Sequence, residues 1–228
     1  MASYHLCVKT VKRSAGRSST AAAAYRAGER IECVREGLVH DYTRKQGIED
    51  SFILTPPDAP AWARDRTALW NAAEASERRL NSVVAREWEL ALPAGLPAAV
   101  RADLARSFAQ AVVDRYGVAP DVAIHAPHRE GDQRNHHAHI LTTTRALGAE
   151  GLGAKTRILD AARSGGAEIA DMRGLWAGMQ NQALERAGRE ERVDHRSLED
   201  QREAALARGD DLAAAELDRA PEIKLGPA

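Results

Sequence analysis

The sequence has few cysteines, no long apolar run and almost no excess charge of either sign. Its two cysteines, Cys7 and Cys33, are too few for a disulfide framework and lack the paired spacings of a zinc site, so we expect both to be reduced packing residues. No stretch approaches the roughly 20 consecutive apolar residues of a membrane helix, so we expect no membrane insertion. The amino-terminal residues lack the basic and apolar regions of a secretory signal, which predicts a cytoplasmic location.

The net charge of −1 conceals an uneven distribution of charge. Residues 1–28 contain five basic residues and no acidic one, whereas residues 194–228 contain nine acidic and five basic residues. Arginine provides 27 of the 32 basic residues, and its planar guanidinium can bind phosphate oxygens through two hydrogen bonds at once. We therefore expect the two ends of the chain to face different partners. The excess of arginine favours a phosphate-bearing partner, but a GC-rich genome would give the same excess.

Alternating and helical hydrophobic patterns predict an α+β fold. Period-two alternation and an apolar run indicate strands, while apolar stripes and flanking residues such as Pro97 and Gly117 indicate helices. The predicted strands are residues 4–11, 51–54, 83–93, 121–125 and 137–144, and the predicted helices are residues 20–30, 59–80, 98–116, 169–186 and 198–217. This order predicts an antiparallel or mixed sheet with helices on one face, followed by a helical carboxy-terminal part.

Five of the eight histidines lie between residues 125 and 139. His137 and His139 share one side of a predicted strand, about 6.5–7 Å apart, and can converge on one ion. A third ligand from a neighbouring strand would complete a three-nitrogen metal site with open positions. His125 is the preferred candidate, His128 in the following loop is its rival, and His136 points to the opposite face.

Two carboxylates and one tyrosine are further candidates. Glu87 and Glu89 share the face of their strand opposite Trp88, where they either form an ordinary solvated face or orient a metal-binding imidazole and accept a proton. Tyr25 follows a basic loop within a run of alanines, which would leave its phenol uncrowded and exposed to a phosphate.

Several short motifs follow one another along nearly the whole chain. They are SAGRS at 14–18, AAAAYRAG at 21–28, HDYTRK at 40–45, AREWELALP at 85–93, AIH at 123–125, NHHAHI at 135–140 and RVDHRS at 192–197. In this combination and order they resemble the MobA/MobL relaxases of mobilisable plasmids, which belong to the histidine–hydrophobic–histidine endonucleases.

The resemblance implies an enzyme that nicks one strand of DNA at a plasmid origin of transfer. By this resemblance Tyr25 is the nucleophile, and it forms a 5′-phosphotyrosyl intermediate and a free 3′-hydroxyl that can later be rejoined. His125, His137 and His139 would hold a divalent ion, Mn²⁺ or Mg²⁺. Imidazole ligands favour Mn²⁺ or another transition ion over Mg²⁺.

The resemblance also implies a palm-like relaxase fold, with a catalytic core at residues 1–150 and a helical DNA-clamping extension at residues 151–228. Glu87 and Glu89 match the family's acidic pair beside the metal. The residues expected to contact DNA are Lys12, Arg13, Arg17, Arg26, Arg44 and Lys45. The expected partners are single-stranded and hairpin DNA at the origin, relaxosome accessory proteins and a type IV secretion coupling protein, with export of the protein on the transferred strand.

Three positions depart from the family pattern. The loop between His125 and His137 is longer than in family members whose third ligand lies eight residues before the histidine pair, which keeps His128 open as the third ligand. His136 stands where many members have proline, and Lys224 stands where the closing motif has histidine. Many relatives continue into further regions, so we expect this chain to be a relaxase domain alone.

Other functions compete with this interpretation. A rolling-circle replication initiator shares the chemistry, but its tyrosine usually follows the histidine pair, whereas Tyr25 and Tyr116 both precede it. A non-catalytic DNA-binding module would form no covalent adduct and need no metal. A zinc hydrolase would use water in place of Tyr25, with Glu87 or Glu89 as the base, and leaves the amino-terminal motifs unexplained.

Overall fold

Nine strands and six helices occur in the computed structural model, which describes residues 4–160 and 162–220. The strands are β1 (Leu6–Lys12), β2 (Arg30–Cys33), β3 (Leu38–Asp41), β4 (Ile48–Ile53), β5 (Val83–Ala91), β6 (Pro120–His125), β7 (His137–Thr142), β8 (Arg145–Gly148) and β9 (Gly151–Lys155). The helices are α1 (Ser19–Ala27), α2 (Arg66–Ala75), α3 (Ala98–Tyr116), α4 (Ala162–Arg186), α5 (Leu198–Ala207) and α6 (Asp211–Leu217).

The central sheet is five-stranded and antiparallel, in the order β1-β5-β7-β6-β4. β7 is its middle strand, so the His137–Thr142 segment has a hydrogen-bonded neighbour on each side. The α+β fold with a central antiparallel sheet and a helical carboxy-terminal part is therefore confirmed. The pairs β2–β3 and β8–β9 form two separate hairpins that the sequence patterns did not predict.

Helices pack on both faces of the sheet, so the expectation of helices on one face was wrong. On one face, Trp88 and Ile140 pack with Phe108 of α3 and Trp176 of α4 in the larger core cluster. On the other face, apolar residues of β5 and β7 pack with α1 and α2 around the fully buried Trp70. The physical reason is that the middle strands carry apolar residues on both sides, and each side needs a cover.

Two predicted helices are interrupted in the structure. The segment predicted at 59–80 forms a 3₁₀ turn over Ala61–Arg64 and then α2, because Asp65 is extended and its carboxylate accepts a hydrogen bond from Ala68 N at 2.7 Å. The segment predicted at 198–217 breaks at Gly209, which adopts a left-handed φ of 75°, and Asp210 then caps α6. Helix α3 begins and ends at the predicted residues.

The chain divides by its contacts into one unit that ends at Val193 and a second that begins at Asp194. Within the second unit, α5 packs against α6. The predicted boundary after residue 150 separated a catalytic part from a DNA-clamping part, and it stays a prediction. Among the described residues, no helix combines the length and the apolar character that a membrane crossing requires. Lys224 lies outside the described residues.

Candidate metal and nucleophile site

Three histidine side chains meet on one face of the central sheet. His125 ends β6 directly opposite His137 of β7, and His139 follows two residues later on the same face. The ring centroids are 5.3 Å apart for His125 and His137, 5.1 Å for His137 and His139, and 4.9 Å for His125 and His139. One ligand atom from each lies within 4.8 Å of the others. Antiparallel pairing thus brings together the three preferred histidines.

An oxygen acceptor orients each of these imidazoles. Nε2 of His125 lies 2.8 Å from the backbone oxygen of Arg26, and Nδ1 of His137 lies 2.9 Å from a carbonyl oxygen of the preceding loop. Nδ1 of His139 lies 2.6 Å from Oε1 of Glu87. Carbonyl and carboxylate oxygens only accept, so these ring nitrogens donate, and in a neutral ring the other nitrogen keeps its lone pair.

The electrostatic environment favours the neutral form of two of the rings. Burial lowers the pKa of His125 to about 3, and the positive charge of Lys45 acts in the same direction. Burial also lowers the pKa of His137, against the opposing effect of its hydrogen bond to the loop carbonyl. Neutral imidazoles with ligand atoms this close together suit a divalent transition ion, and three nitrogen ligands leave coordination positions open. The residues therefore fit the expected metal.

Glu87 connects the histidine cluster to α1. Its Oε1 accepts hydrogen bonds from His139 Nδ1 and from Arg26 Nε, both at 2.6 Å. Burial alone would raise the pKa of Glu87, but the hydrogen bonds from His139 and Arg26 outweigh that effect and lower the pKa to about 2. Glu87 is therefore an ionised carboxylate that holds one imidazole and one guanidinium in place.

Glu89 lies on the same face of β5 and has different neighbours. Its carboxylate pairs with Lys9, and His5 Nε2 lies 3.8 Å from its Oε1. Its negative charge raises the pKa of His137, although less than burial lowers it. The expectation that the two glutamates share the histidine face is confirmed, while their electrostatic settings differ.

Helix α1 is held at both ends. Ser18 caps its first turn by accepting a hydrogen bond from Ala21 N at 3.1 Å. The fully buried Glu74 of α2 accepts hydrogen bonds from Ser19 N at 2.7 Å and Ser19 Oγ at 2.8 Å. At the other end Gly28 has a left-handed φ of 66°, and a Cβ there would lie 2.3 Å from Ile48 Cδ1. These contacts fix the direction of the helix that carries Tyr25.

Tyr25 is half exposed, with 51% of its surface accessible. Its ring meets Tyr42 edge to face at a centroid distance of 5.2 Å, and Lys45 Nζ lies 3.8 Å from its ring centroid. Lys45 also donates a hydrogen bond to the backbone oxygen of Tyr25 at 2.8 Å. Burial, with a smaller effect from the charge of Arg26, lowers the pKa of Lys45 to about 8. Lys45 therefore lies over one face of the Tyr25 ring, and the Tyr42 ring packs beside it at nearly a right angle.

The six basic residues expected to contact DNA have different surroundings. Those on the exposed surface are Lys12, Arg17 and Arg44. The Arg13 side chain is 7% exposed and pairs with the buried carboxylate of Glu74, while Arg26 pairs with Glu87. Lys45 is partly buried against Tyr25. Arg13 and Arg26 thus have internal partners, and their contacts with DNA stay predictions.

The other histidines of the 125–139 segment stand apart from the cluster. His128 lies in an exposed loop, where its Nδ1 accepts a hydrogen bond from Glu130 N at 3.4 Å. His136 Nδ1 lies 3.2 Å from Oε1 of Glu49 on the edge strand β4. The structure therefore favours His125 over His128 as the partner of His137.

The sequence and fold have known relatives. The profile described as the MobA/MobL family matches residues 17–210. This chain belongs to the MobA/MobL family. The mobilization protein MobL of Acidithiobacillus ferridurans is 42% identical over 223 residues, which cover 86% of this chain and 58% of that protein. The chain therefore spans only about 58% of the length of that relative.

Two solved structures share the fold of this MobA/MobL family member. One, described as the molecular basis of vancomycin resistance transfer in Staphylococcus aureus, is 31% identical with a TM-score of 0.75 and covers 86% of this chain and 100% of its own. The other is a copper-bound complex of the conjugative relaxase TrwC with oriT DNA, with a TM-score of 0.50 over 97% of this chain and 93% of its own. Its sequence is only 12% identical, so the similarity concerns the fold alone. The relaxase fold expected from the resemblance is confirmed.

Sequence reasoning missed the surroundings of Tyr25 in this MobA/MobL protein. Tyr42 and Lys45 were part of a recognised motif, but nothing in their spacing showed that they border the Tyr25 ring. The long hairpin β2–β3 places them there, because it starts directly after α1 and returns the chain beside it.

Proposed function

We propose that this chain is the nicking part of a conjugative relaxase, which cuts one strand of plasmid DNA at an origin of transfer. The hydrogen bond between the ring of His125 and the backbone oxygen of Arg26, at 2.8 Å, carries this proposal. Because Arg26 follows Tyr25, this bond joins the candidate metal centre to the helix that bears the candidate nucleophile. The mobilisation function named for the relative from Acidithiobacillus ferridurans supports the same conclusion.

Tyr25 performs the strand cleavage. Its phenol oxygen attacks the scissile phosphorus, the bond from phosphorus to the 3′ oxygen breaks, and that oxygen leaves as a 3′-hydroxyl after taking a proton. The 5′ phosphate stays on Tyr25 and the phenolic proton passes to a base. The ammonium group of Lys45, above the ring, favours the negative charge that develops on the phenol. Since a phosphodiester is retained, a 3′-hydroxyl can reverse the reaction.

His125, His137 and His139 would hold the divalent ion. When bound, a Mn²⁺ or Mg²⁺ ion supplies positive charge to the oxygens of the scissile phosphate. The all-nitrogen donor set favours Mn²⁺ over Mg²⁺.

The two glutamates have distinct roles in this proposal. Glu87 is a positioning residue, because its lowered pKa makes it a poor proton acceptor and its oxygens are used by His139 and Arg26. Glu89 lies on the same face and is the better candidate to accept a proton near the phosphate. Its pairing with Lys9 must loosen for that step.

The exposed basic residues supply the DNA surface. Lys12, Arg17 and Arg44 can bind phosphates of a single strand that approaches Tyr25, with a salt dependence that reflects the released counterions. Residues 151–228 are proposed to grip the hairpin part of the origin. Relaxosome accessory proteins, a coupling protein and export with the transferred strand are proposed for the whole protein.

A covalent adduct between the protein and DNA is the direct test. The protein is incubated with a labelled single-stranded oligonucleotide from its own origin, with Mn²⁺, with Mg²⁺ or with chelator, and analysed on a denaturing protein gel. We expect a metal-dependent adduct that Tyr25→Phe abolishes.

The chain offers a matched control among its four tyrosines. Tyr116 packs in the core against Trp88 and donates a hydrogen bond to Glu168 at 2.9 Å, so Tyr116→Phe removes a phenol without altering the site. This variant should still form the adduct. Cleavage that persists in Tyr25→Phe would refute the assigned nucleophile, and absence of any adduct on the correct origin would favour a DNA-binding module.

A further inference from the structure

A second cluster of metal-binding side chains lies at the tip of the β2–β3 hairpin. Cys33 ends β2, Glu36 lies in the connecting turn and His40 lies on β3. His40 pairs in register with Ile31, and Cys33 pairs with Leu38. Cys33 and His40 are therefore diagonal neighbours on one face of the hairpin, close enough for their side chains to interact.

The turn folds Glu36 back toward this pair. The backbone nitrogens of Glu36 and Gly37 both donate to the carbonyl oxygen of Cys33, at 3.2 and 2.9 Å. Gly37 has a left-handed φ of 64°, which closes the turn without strain. The result is a tight loop with three different donor groups at one place: a thiol, a carboxylate and an imidazole.

The donor atoms have nearly the spacing of a tetrahedral metal site. The three ligand atoms lie within 4.8 Å of one another, and His40 Nε2 is 3.5 Å from Oε2 of Glu36. Bond lengths of roughly 2.0–2.3 Å to tetrahedral zinc place nitrogen and oxygen ligands about 3.3 Å apart, and nitrogen and sulfur ligands about 3.6 Å apart. Metal binding would therefore shorten the donor-to-donor distances by about 1.2 Å at most, within an exposed turn.

The local bonding leaves these atoms available. Cys33 is a free, fully buried thiol, and His40 Nε2 is buried without a hydrogen-bond partner among the described residues. Glu36 uses its other oxygen, Oε1, to pair with Arg35, and Arg35 Nε lies 3.1 Å from Oε2 of the buried Glu74. The carboxylate is therefore anchored on one side and free on the side that faces His40.

We propose that Cys33, Glu36 and His40 bind a zinc ion, with a water molecule in the fourth position. A thiolate together with an imidazole selects Zn²⁺ over Mg²⁺ or Mn²⁺, and binding releases the thiol proton to solvent. This site is separate from the histidine cluster on the central sheet and does not depend on the proposed nicking activity. Its role is to fasten the hairpin that leads to Tyr42 and Lys45 beside Tyr25.

Cobalt spectroscopy tests this site without any activity assay. The full chain with His137→Gln and His139→Gln, which disable the first cluster, is titrated with Co²⁺ and then with Zn²⁺. We expect one equivalent of Co²⁺ to bind and to produce a thiolate-to-cobalt charge-transfer band that Zn²⁺ removes. In the same background Cys33→Ser should lose the band, while Cys7→Ser, which changes the other thiol, should keep it.

Two further variants protect the test against misfolding of Cys33→Ser. Glu36→Gln changes a residue in the exposed turn and His40→Gln changes a half-buried one, so both are expected to keep the far-ultraviolet circular dichroism of the parent. Each should weaken or abolish the cobalt band. A parent protein that shows no thiolate band with Co²⁺, a band that survives in Cys33→Ser, or a band that is undiminished in Glu36→Gln or His40→Gln would overturn the proposal, whatever the outcome of the nicking assay.

Discussion

Replacement of Glu87 by glutamine perturbs the contact between the histidine cluster and α1 with the least change of shape. The carboxylate is buried and accepts hydrogen bonds from His139 and from Nε and Nη2 of Arg26. A glutamine can accept through only one of its two terminal atoms, because its amide nitrogen is a donor. Glu87→Gln therefore leaves a partly buried guanidinium facing another donor.

The expected loss of stability follows from the pKa of Glu87. A fall in the pKa from the ordinary value of 4.5 to about 2 corresponds to about 3 kcal/mol of stability at neutral pH. Arg26 retains 18% side-chain exposure, so solvent reduces the loss to about 2–3 kcal/mol. Because the folded-state pKa is the lower one, this stability is present above about pH 4.5 and disappears as the pH falls toward 2.

Urea unfolding of the metal-free protein, with chelator present, measures this effect. The difference between wild type and Glu87→Gln should be about 2–3 kcal/mol at pH 7 and should shrink steadily below about pH 4.5. Glu150→Gln, a change of an exposed glutamate, is the matched control and should alter stability by less than about 0.5 kcal/mol. A Glu87→Gln protein as stable as wild type at pH 7, or a difference that does not change with pH, would refute the reasoning.

Three other changes have definite expected outcomes. Gly28→Ala places a Cβ on a residue with left-handed backbone and against Ile48. Thermal unfolding should therefore show a loss of about 1–3 kcal/mol in the free energy of unfolding, and unchanged stability would contradict the described turn. Arg44→Ala should make the plot of log affinity for single-stranded DNA against log salt concentration less steep by about 0.7, as measured by fluorescence anisotropy. An unchanged slope would show that Arg44 does not contact the DNA. For Lys45→Met we compare the rate of adduct formation with that of wild type. The ratio of the wild-type rate to the Lys45→Met rate should decline as the pH rises through about 8, because the ammonium group of Lys45 then loses its charge. A ratio that stays constant with pH would show that the charge has no part in the reaction.

Local signals in the sequence were sufficient to predict a helix or the face of a strand where those features depend on neighbouring residues. Helix α3 was predicted over residues 98–116 because an apolar stripe lies between two end signals, Pro97 and Gly117. Alternation along β7 predicted that His137 and His139 share a face, because successive residues of any strand point to opposite sides. The same argument placed Glu87 and Glu89 together.

Tertiary structure decided which distant residues meet. Spacing along the chain left His125 and His128 as alternatives, and the register between β6 and β7 places His125 opposite His137. The bonds from Arg26 to Glu87 and from Arg13 to Glu74 each join residues 61 positions apart, and no local pattern indicates them.

The cluster at the tip of the β2–β3 hairpin was also not indicated by any local pattern, although its residues lie close together in the chain. The sequence predicted that Cys33 is a packing residue, since the two cysteines of the chain lack the paired spacings of a zinc site. A cross-strand diagonal and a four-residue turn bring Cys33, Glu36 and His40 together. Hydrophobic periodicity and capping depend on residues within a turn or two of each other, so the sequence alone determined helix α3 and the faces of β5 and β7. Strand pairing and charge partners depend on how the whole sheet assembles, so only the folded chain decided which of these residues lie together.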